Sequence, residues 1–300
     1  MRTPGALLLF AFMLHGSAGA TPAVAAAEKP AVRPAAPRFD SLPRAIEESK
    51  KRGNCRIFVF FDAKECSDCE RMNALVLPAR IFREVVEDKV IVRVDVNSEE
   101  GARLGEEYGI SSAPAWIVMT PDGLLSWLQK GMTPQGAWLE LLSRSEESWT
   151  AYQKLVAEAA ENPNDGAKVF ESARETFRRH GDAQSEKSFS RLVSDPSTPA
   201  PILEQSLAYL ATIEMNQKKL DEARVHLEAL LKIAKDPALR ERAELRLVEV
   251  EIGKENGAAA SARLERFAGS HPDAATKTVE DLRRIIAALP ESPARETGKQ

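Results

Sequence analysis

The chain has 300 residues, 43% of them hydrophobic and 29% charged, and a formal net charge of −4. These are globular values, and the length suggests about two domains. A mildly acidic balance, with no basic patch interleaved with aromatics, argues against a nucleic-acid binder.

In chain order, Met1-Arg2 is a short positive start and Ala6 to Leu14 is an apolar run. Ala18-Gly19-Ala20 then offers an A-x-A cleavage site, so residues 1–20 read as a secretory signal peptide. The alternative is an uncleaved anchor, against which the shortness of the run speaks. No cysteine follows the run, which argues against a lipid anchor, and no later segment is long and apolar enough to span a bilayer. Residues 21–38 carry Pro22, Pro30, Pro34 and Pro37 among alanines and read as an extended linker. Phe39 to Arg52 reads as an amphipathic helix with Leu42, Ala45 and Ile46 on one face. Gly53-Asn54 turns the chain.

Arg56 to Phe61 is an apolar, β-branched and aromatic run of strand length. Cys66 and Cys69 follow at i and i+3, where a helix should begin. Strand, short loop, Cys-x-x-Cys, helix is the setting in which that motif means thiol–disulfide chemistry. Unpaired N–H groups and a positive dipole end favour a thiolate there, so Cys66 is the expected nucleophile. Cys69, one turn on, is placed to resolve a mixed disulfide on Cys66. Val90 to Val96 reads as a second strand. Glu107-Tyr108-Gly109-Ile110-Ser111-Ser112-Ala113-Pro114 leads into another, Ala115 to Met119. Thr120-Pro121-Asp122-Gly123 is a turn, Leu124 to Leu128 the next strand, and Thr133 to Ser143 a closing helix.

These features, in this order, resemble the thioredoxin-like family over about Phe39 to Ser145. The loop before Ala115 is similar to that family's "Y-G-I-x-x-x-P-T" segment. The resemblance implies a cis peptide before Pro114, which would face the cysteine pair. It also implies that the backbone of Ala113 would pair with an extended client chain, making Ala113 and Pro114 substrate-binding residues. Cys69-Glu70-Arg71-Met72 fits the secreted "C-x-x-C-x-x-M" branch. Glu65 stands where a tryptophan is usual, Phe60 where a buried aspartate is usual, and Ser67-Asp68 replaces Gly-Pro. Glu65, Asp68 and Glu70 oppose thiolate formation, whereas Lys64 and Arg71 favour it. Reductase and oxidase directions both stay open, with reductase or interchange favoured by likeness to that branch.

Three cysteines is an odd count for an exported chain. Cys55 begins the strand that ends before Cys66, too far along extended chain to pair with it. It reads either as a small buried hydrophobe or as an exposed thiol able to form a dimer. Zinc would need two further ligands near the pair. His180, His226 and His271 are isolated and far along the chain, and read as helix-surface or loop residues. Asp62 and Asp95 end strands, either as partners of the site or as ordinary solvated ends. No cofactor and no metal is expected.

After Ser145 the strand-like runs stop. Helices are expected at Glu147–Glu161, Ala167–His180, Ala183–Val193, Ala200–Asn216, Leu220–Ala234, Pro237–Gly253, Ala258–Ala268 and Asp273–Leu289, with a disordered tail over 290–300. Leu210, Ala223 and Leu227 recur 37 residues later as Leu247, Ala260 and Leu264. "K-K-L-D-E-A-R-x-H-L-E" followed by a second helix resembles a tetratricopeptide repeat; a generic Ala-rich bundle is the alternative. Such stacks present a concave groove to protein partners.

The expected architecture is an α/β thioredoxin-like domain (39–145), a central mixed sheet flanked by helices, followed by an all-α helical-repeat domain (146–289). The expected function is a protein disulfide oxidoreductase, exported to a bacterial periplasm and working through Cys66 and Cys69. Its expected partners are protein dithiol or disulfide substrates, a membrane electron donor, and a protein held by the helical repeats. The alternative is a non-enzymatic scaffold whose thioredoxin-like domain is structural.

Overall fold

The computed structural model describes residues 38–271 and 276–290. The expected signal peptide, the expected linker up to residue 37 and residues 291–300 of the expected tail lie outside them.

Strand β2 (Ile57–Asp62) is the centre of the first half. Its apolar residues Ile57 to Phe61 are buried on both faces, which suits an interior strand. It pairs in parallel with β3 (Val90–Asp95) and antiparallel with β4 (Ala115–Met119). Beyond β4 lies β5 (Leu125–Lys130), antiparallel; beyond β3 lies β1 (Arg38–Phe39), parallel. The sheet is mixed and five-stranded, in the order β1-β3-β2-β4-β5.

Alternation along β2 divides the core in two. Ile57, Val59 and Phe61 meet Leu42 and Ala45 of α1 (Leu42–Lys51) and Leu104 and Tyr108 of α4 (Glu99–Tyr108). Phe58 and Phe60 face the other layer, with Met72, Val76, Phe82 and Trp116. That layer is built from α2 (Ser67–Arg71), a π-helical turn (Met72–Val76) and α3 (Arg80–Val86).

Three local differences from the sequence reading have physical causes. The first helix begins at Leu42 rather than Phe39, because Ser41 is extended, with φ −144°, and Phe39 is drawn into β1. Helix α4 carries Gly101 and Gly105, which weaken its local helical signal. Packing requires Gly101: a Cβ there would lie 2.0 Å from the Asp95 carbonyl oxygen. The helices expected at Thr133–Ser143 and Glu147–Glu161 are one, α5 (Gln135–Glu161), which runs through Ser145 without a break.

Seven further helices among the described residues complete the chain. They are α6 (Gly166–Arg178), α7 (Asp182–Ser194), α8 (Ala200–Asn216), α9 (Leu220–Ile233), α10 (Pro237–Gly253), α11 (Gly257–Ser270) and α12 (Thr276–Ala287). The residues of the 37-residue repeat form the buried core: Leu210, Ala223, Leu227, Leu247, Ala260 and Leu264 are each at most 2% exposed. Each buried leucine contributes about 1.5–3 kcal/mol, and the two alanines let paired helices approach closely.

The turns closing α6–α7, α8–α9 and α10–α11 are alike. Each places one residue in the left-handed region: His180, Lys218 and Glu255, with φ 61°, 62° and 55°. The side chain just before each reaches back to the preceding unit. Lys254 Nζ contacts Asp221 Oδ1 at 2.5 Å, and Gln217 Nε2 donates to Glu186 Oε2 at 2.8 Å.

In the first turn that residue is Arg179, and what it reaches is the sheet. Its Nη1 donates to the Leu125 carbonyl at 3.1 Å, and the Leu125 N–H donates to the Arg179 carbonyl at 2.9 Å. Nη2 donates to Ser148 Oγ at 2.9 Å and pairs with Glu175 at 3.1 Å. The guanidinium sits 4.8 Å from the Tyr152 ring centroid and 5.6 Å from that of Trp149. Beside it the ring of His180 lies 5.0 Å from that of Tyr108. A Cβ on Gly181 would meet the Leu124 side chain at 2.6 Å, so only glycine admits this close approach. The α6–α7 turn is thereby docked on the β5 edge.

Candidate functional site

The C-terminal end of β2 delivers the cysteines. Asp62 ends the strand, and its Oδ1 accepts the N–H of Ala63 at 2.9 Å. Glu65 turns the chain with φ 56°. Cys66 then occupies the N-cap of α2 in extended conformation, and its Sγ accepts the N–H of Cys69 at 3.1 Å. The two form a disulfide. Cys66 is half-buried, whereas Cys69 is 1% exposed on the buried side of α2. Of the surrounding charges, Asp68 and Arg71 form an exposed pair at 3.4 Å, and Glu65 and Glu70 point to solvent.

Two residues before Asp62 on β2, Phe60 is fully buried and stacks on Trp116 with centroids 5.5 Å apart. Asp62 and Asp95, alike in sequence, differ here. Asp95 is exposed and its carboxylate accepts the N–H of Asn97 at 2.9 Å, an ordinary turn. Asp62 Oδ2 instead meets Arg93 Nη1 of β3 at 3.2 Å. Arg93 Nη2 also donates to Asn73 in the π-helical turn. No local sequence signal marks Arg93; its partners come from a neighbouring strand and a turn 20 residues away.

The Ala113–Pro114 peptide is cis. Phe61 pairs with Ala115 across β2 and β4, so the register brings Pro114 to the sheet end that bears Cys66. Pro114 is buried and its carbonyl accepts the N–H of Gly131 at 2.8 Å; Ala113 is half-buried.

Cys55 lies before the opposite end of β2, free and half-buried against the α1 side of the core. It packs on that core as a partly buried hydrophobe. Burial pushes the Tyr108 phenol well above its usual range, helped by the charge of Glu107, and its hydroxyl donates to the Gly123 carbonyl at 3.0 Å. His226 is not a plain surface residue: its Nδ1 lies 2.8 Å from buried Glu214. His271 ends α11 with its ring stacked on Phe267. Among the described residues no group of three or more His, Cys, Asp or Glu is arranged to hold a metal ion. Among them, too, no helix is long and apolar enough to cross a membrane.

In the second half, α8 and α10 line a groove of about 420 Å³ with Gln205, Tyr209, Thr212, Leu239, Arg242 and Arg246. Tyr209 is held by stacking on Phe189, with centroids 4.9 Å apart.

A family model described as a thioredoxin-like domain matches residues 42–145, and one described as a tetratricopeptide repeat-like domain matches residues 142–288. No curated protein matches the chain. Among solved structures, a thioredoxin from Thermus thermophilus is 22% identical over 37% of this chain and 86% of its own, with a TM-score of 0.33. A DsbH oxidoreductase is 20% identical over 39% of this chain and 90% of its own, also with a TM-score of 0.33. The oxidised DsbD C-terminal domain of Neisseria meningitidis is 22% identical over 36% and 98%, with a TM-score of 0.32.

Proposed function

We propose, on the premise that the chain is a thioredoxin-like domain followed by a tetratricopeptide repeat-like domain, that it is a thiol–disulfide oxidoreductase acting on exported proteins. Cys66 attacks and Cys69 resolves. The observation that carries this is the asymmetry of the pair. Cys66 is half-buried at a helix start, with its sulfur accepting an N–H, while Cys69 is covered. A thiolate on Cys66 keeps that N–H as a charge-assisted bond.

In the reducing direction the Cys66 thiolate attacks one sulfur of a client disulfide and expels the other as thiolate. Cys69 then attacks the Cys66 sulfur, expels the second client thiolate and closes the Cys66–Cys69 disulfide. Two electrons have passed to the client, and a membrane dithiol donor must restore the pair. Pro114 and the backbone of Ala113, at the same sheet end, bind the client strand. The compartment is the bacterial periplasm, reached through the signal peptide at 1–20.

Direction is tested by the reduction potential of the pair. A value near −270 mV supports the reductase, and one near −120 mV an oxidant.

The α8–α10 groove recruits the client and raises its local concentration at Cys66. The double variant Arg242→Glu/Arg246→Glu, in the full chain, tests this without cutting α5. Both changes are at the surface and perturb stability by about 1 kcal/mol or less. Exchange with a small synthetic disulfide stays unchanged, while trapping of client from a periplasmic protein fraction falls about tenfold or more. Equal trapping by variant and wild type rules out recruitment through this groove.

Phe60 favours a second reading. It places a buried, stacked aromatic ring where the resembled family has an aspartate, leaving no acid at that position to move a proton. If the wild-type chain exchanges with no disulfide faster than free thiol does, the scaffold reading replaces the enzyme.

A further inference from the structure

The redox segment runs from Asp62, where β2 ends, to Asn73, inside the π-helical turn. Cys66 lies four residues after Asp62, and Cys69 four residues before Asn73. One side chain from outside the segment joins both ends. Arg93 sits beside Phe60 in the β2–β3 register and lies over its ring, 5.4 Å from the centroid. From there Nη1 meets the Asp62 carboxylate at 3.2 Å and Nη2 meets the Asn73 amide oxygen. A planar guanidinium fork reaches two partners in fixed directions; a lysine ammonium is a single point charge.

We propose that Arg93 is a positioning residue for the Cys66–Cys69 pair, and that its grip on Asp62 and Asn73 sets the redox equilibrium of that pair. The inference rests on the oxidoreductase reading above. Reduction converts the disulfide to two thiols, and Cys66 gains negative charge when it ionises. Asp62, its side chain only 17% exposed, is a carboxylate four residues upstream. With Arg93 present its charge is matched. Without Arg93 it is unmatched and opposes the thiolate, so the reduced form loses stability. The pair then becomes more strongly reducing, and Cys66 ionises at higher pH.

The test is equilibrium with glutathione: two glutathione thiols and the protein disulfide exchange with one glutathione disulfide and the protein dithiol. Arg93 is half-exposed, 51% by side chain, so an effect the size of a surface ion pair is expected. Arg93→Met should shift the equilibrium constant about two- to fivefold toward the protein disulfide. The pH profile of Cys66 alkylation in the reduced chain should move upward with it. Arg93→Lys should recover part of the shift, and Asp62→Asn added to Arg93→Met should return it toward wild type. If Arg93→Met fails to fold, Arg93→Gln removes the same charge and reads the same quantity. An unshifted equilibrium and alkylation profile in a folded Arg93→Met or Arg93→Gln chain overturns the proposal, as does a shift that Asp62→Asn leaves untouched. The equilibrium needs no client turnover. A wild-type chain that acts on no client refutes the oxidoreductase reading even where Arg93→Met shifts the pair, and an active wild type with unshifted variants refutes only this inference.

Discussion

Replacing Cys66 with serine is expected to lower disulfide exchange by at least about 10³-fold, to the background of buffer thiols. No second nucleophile stands in for it. Cys69 is 1% exposed, so a client sulfur cannot approach it in line. Cys55 lies before the other end of β2. The complementary variant, Cys69→Ser, keeps the attacking thiolate and removes the resolving one. It should hold clients as mixed disulfides that survive non-reducing electrophoresis and dissolve on adding dithiol reductant. Measured together on a labelled disulfide peptide and a periplasmic protein fraction, the two variants separate attack from resolution. Activity retained in Cys66→Ser, or alkylation of Cys69 alone at neutral pH, would reverse the assignment.

Arg179→Ala should destabilise the full chain by about 3 kcal/mol, the scale of removing one partner from a buried charged network. The side chain is 9% exposed and bonds to the Leu125 carbonyl, Ser148 and Glu175 while lying over two aromatic rings. Truncation leaves those acceptors turned toward a cavity and removes the packing of the guanidinium stem. Arg179→Lys should recover less than half, because one ammonium cannot serve three directions. Denaturant unfolding followed by tryptophan fluorescence and far-UV circular dichroism gives the loss. Tryptophan fluorescence, which reports the sheet and α5, should follow circular dichroism through the main transition of the wild type, and Arg179→Ala should separate the two probes. A loss under about 0.5 kcal/mol with coincident probes would mean the docked turn contributes little.

The cysteine motif and the strand before it were legible because their information is local. Five apolar residues in a row specify an interior strand, and Cys-x-x-Cys specifies a helix start. The helical half was legible through its period: Ala223 of α9 and Ala260 of α11 recur 37 residues apart and are both fully buried. What escaped is non-local or contradicts local propensity. Strand β1 is two residues long and exists only because β3 offers an open edge. Helix α4 keeps two glycines because a Cβ at Gly101 would meet the end of β3 and one at Gly105 the Ile110 carbonyl. At the site, Asp62 and Asp95 carry the same strand-end signal, and only Arg93, placed by the β2–β3 register, distinguishes them. Arg179 is one arginine among many in a run of helices; its importance comes from Leu125, 54 residues earlier.

The three similar turns have a consequence for the chain as a mechanical object. Gln217 reaches back from the second turn to α7, Lys254 from the third to α9, and Arg179 from the first to β5 and α5. The sheet therefore stands where a preceding repeat would stand and serves as an end cap for a one-dimensional stack. In such a stack each unit is coupled only to its neighbours. The helices next to the sheet inherit its rigidity directly, and α12 receives it only through a relay of interfaces, each able to open by itself. A load applied at the α12 end should therefore fray the outer hairpins before it reaches Arg179 and the sheet end that bears the cysteines.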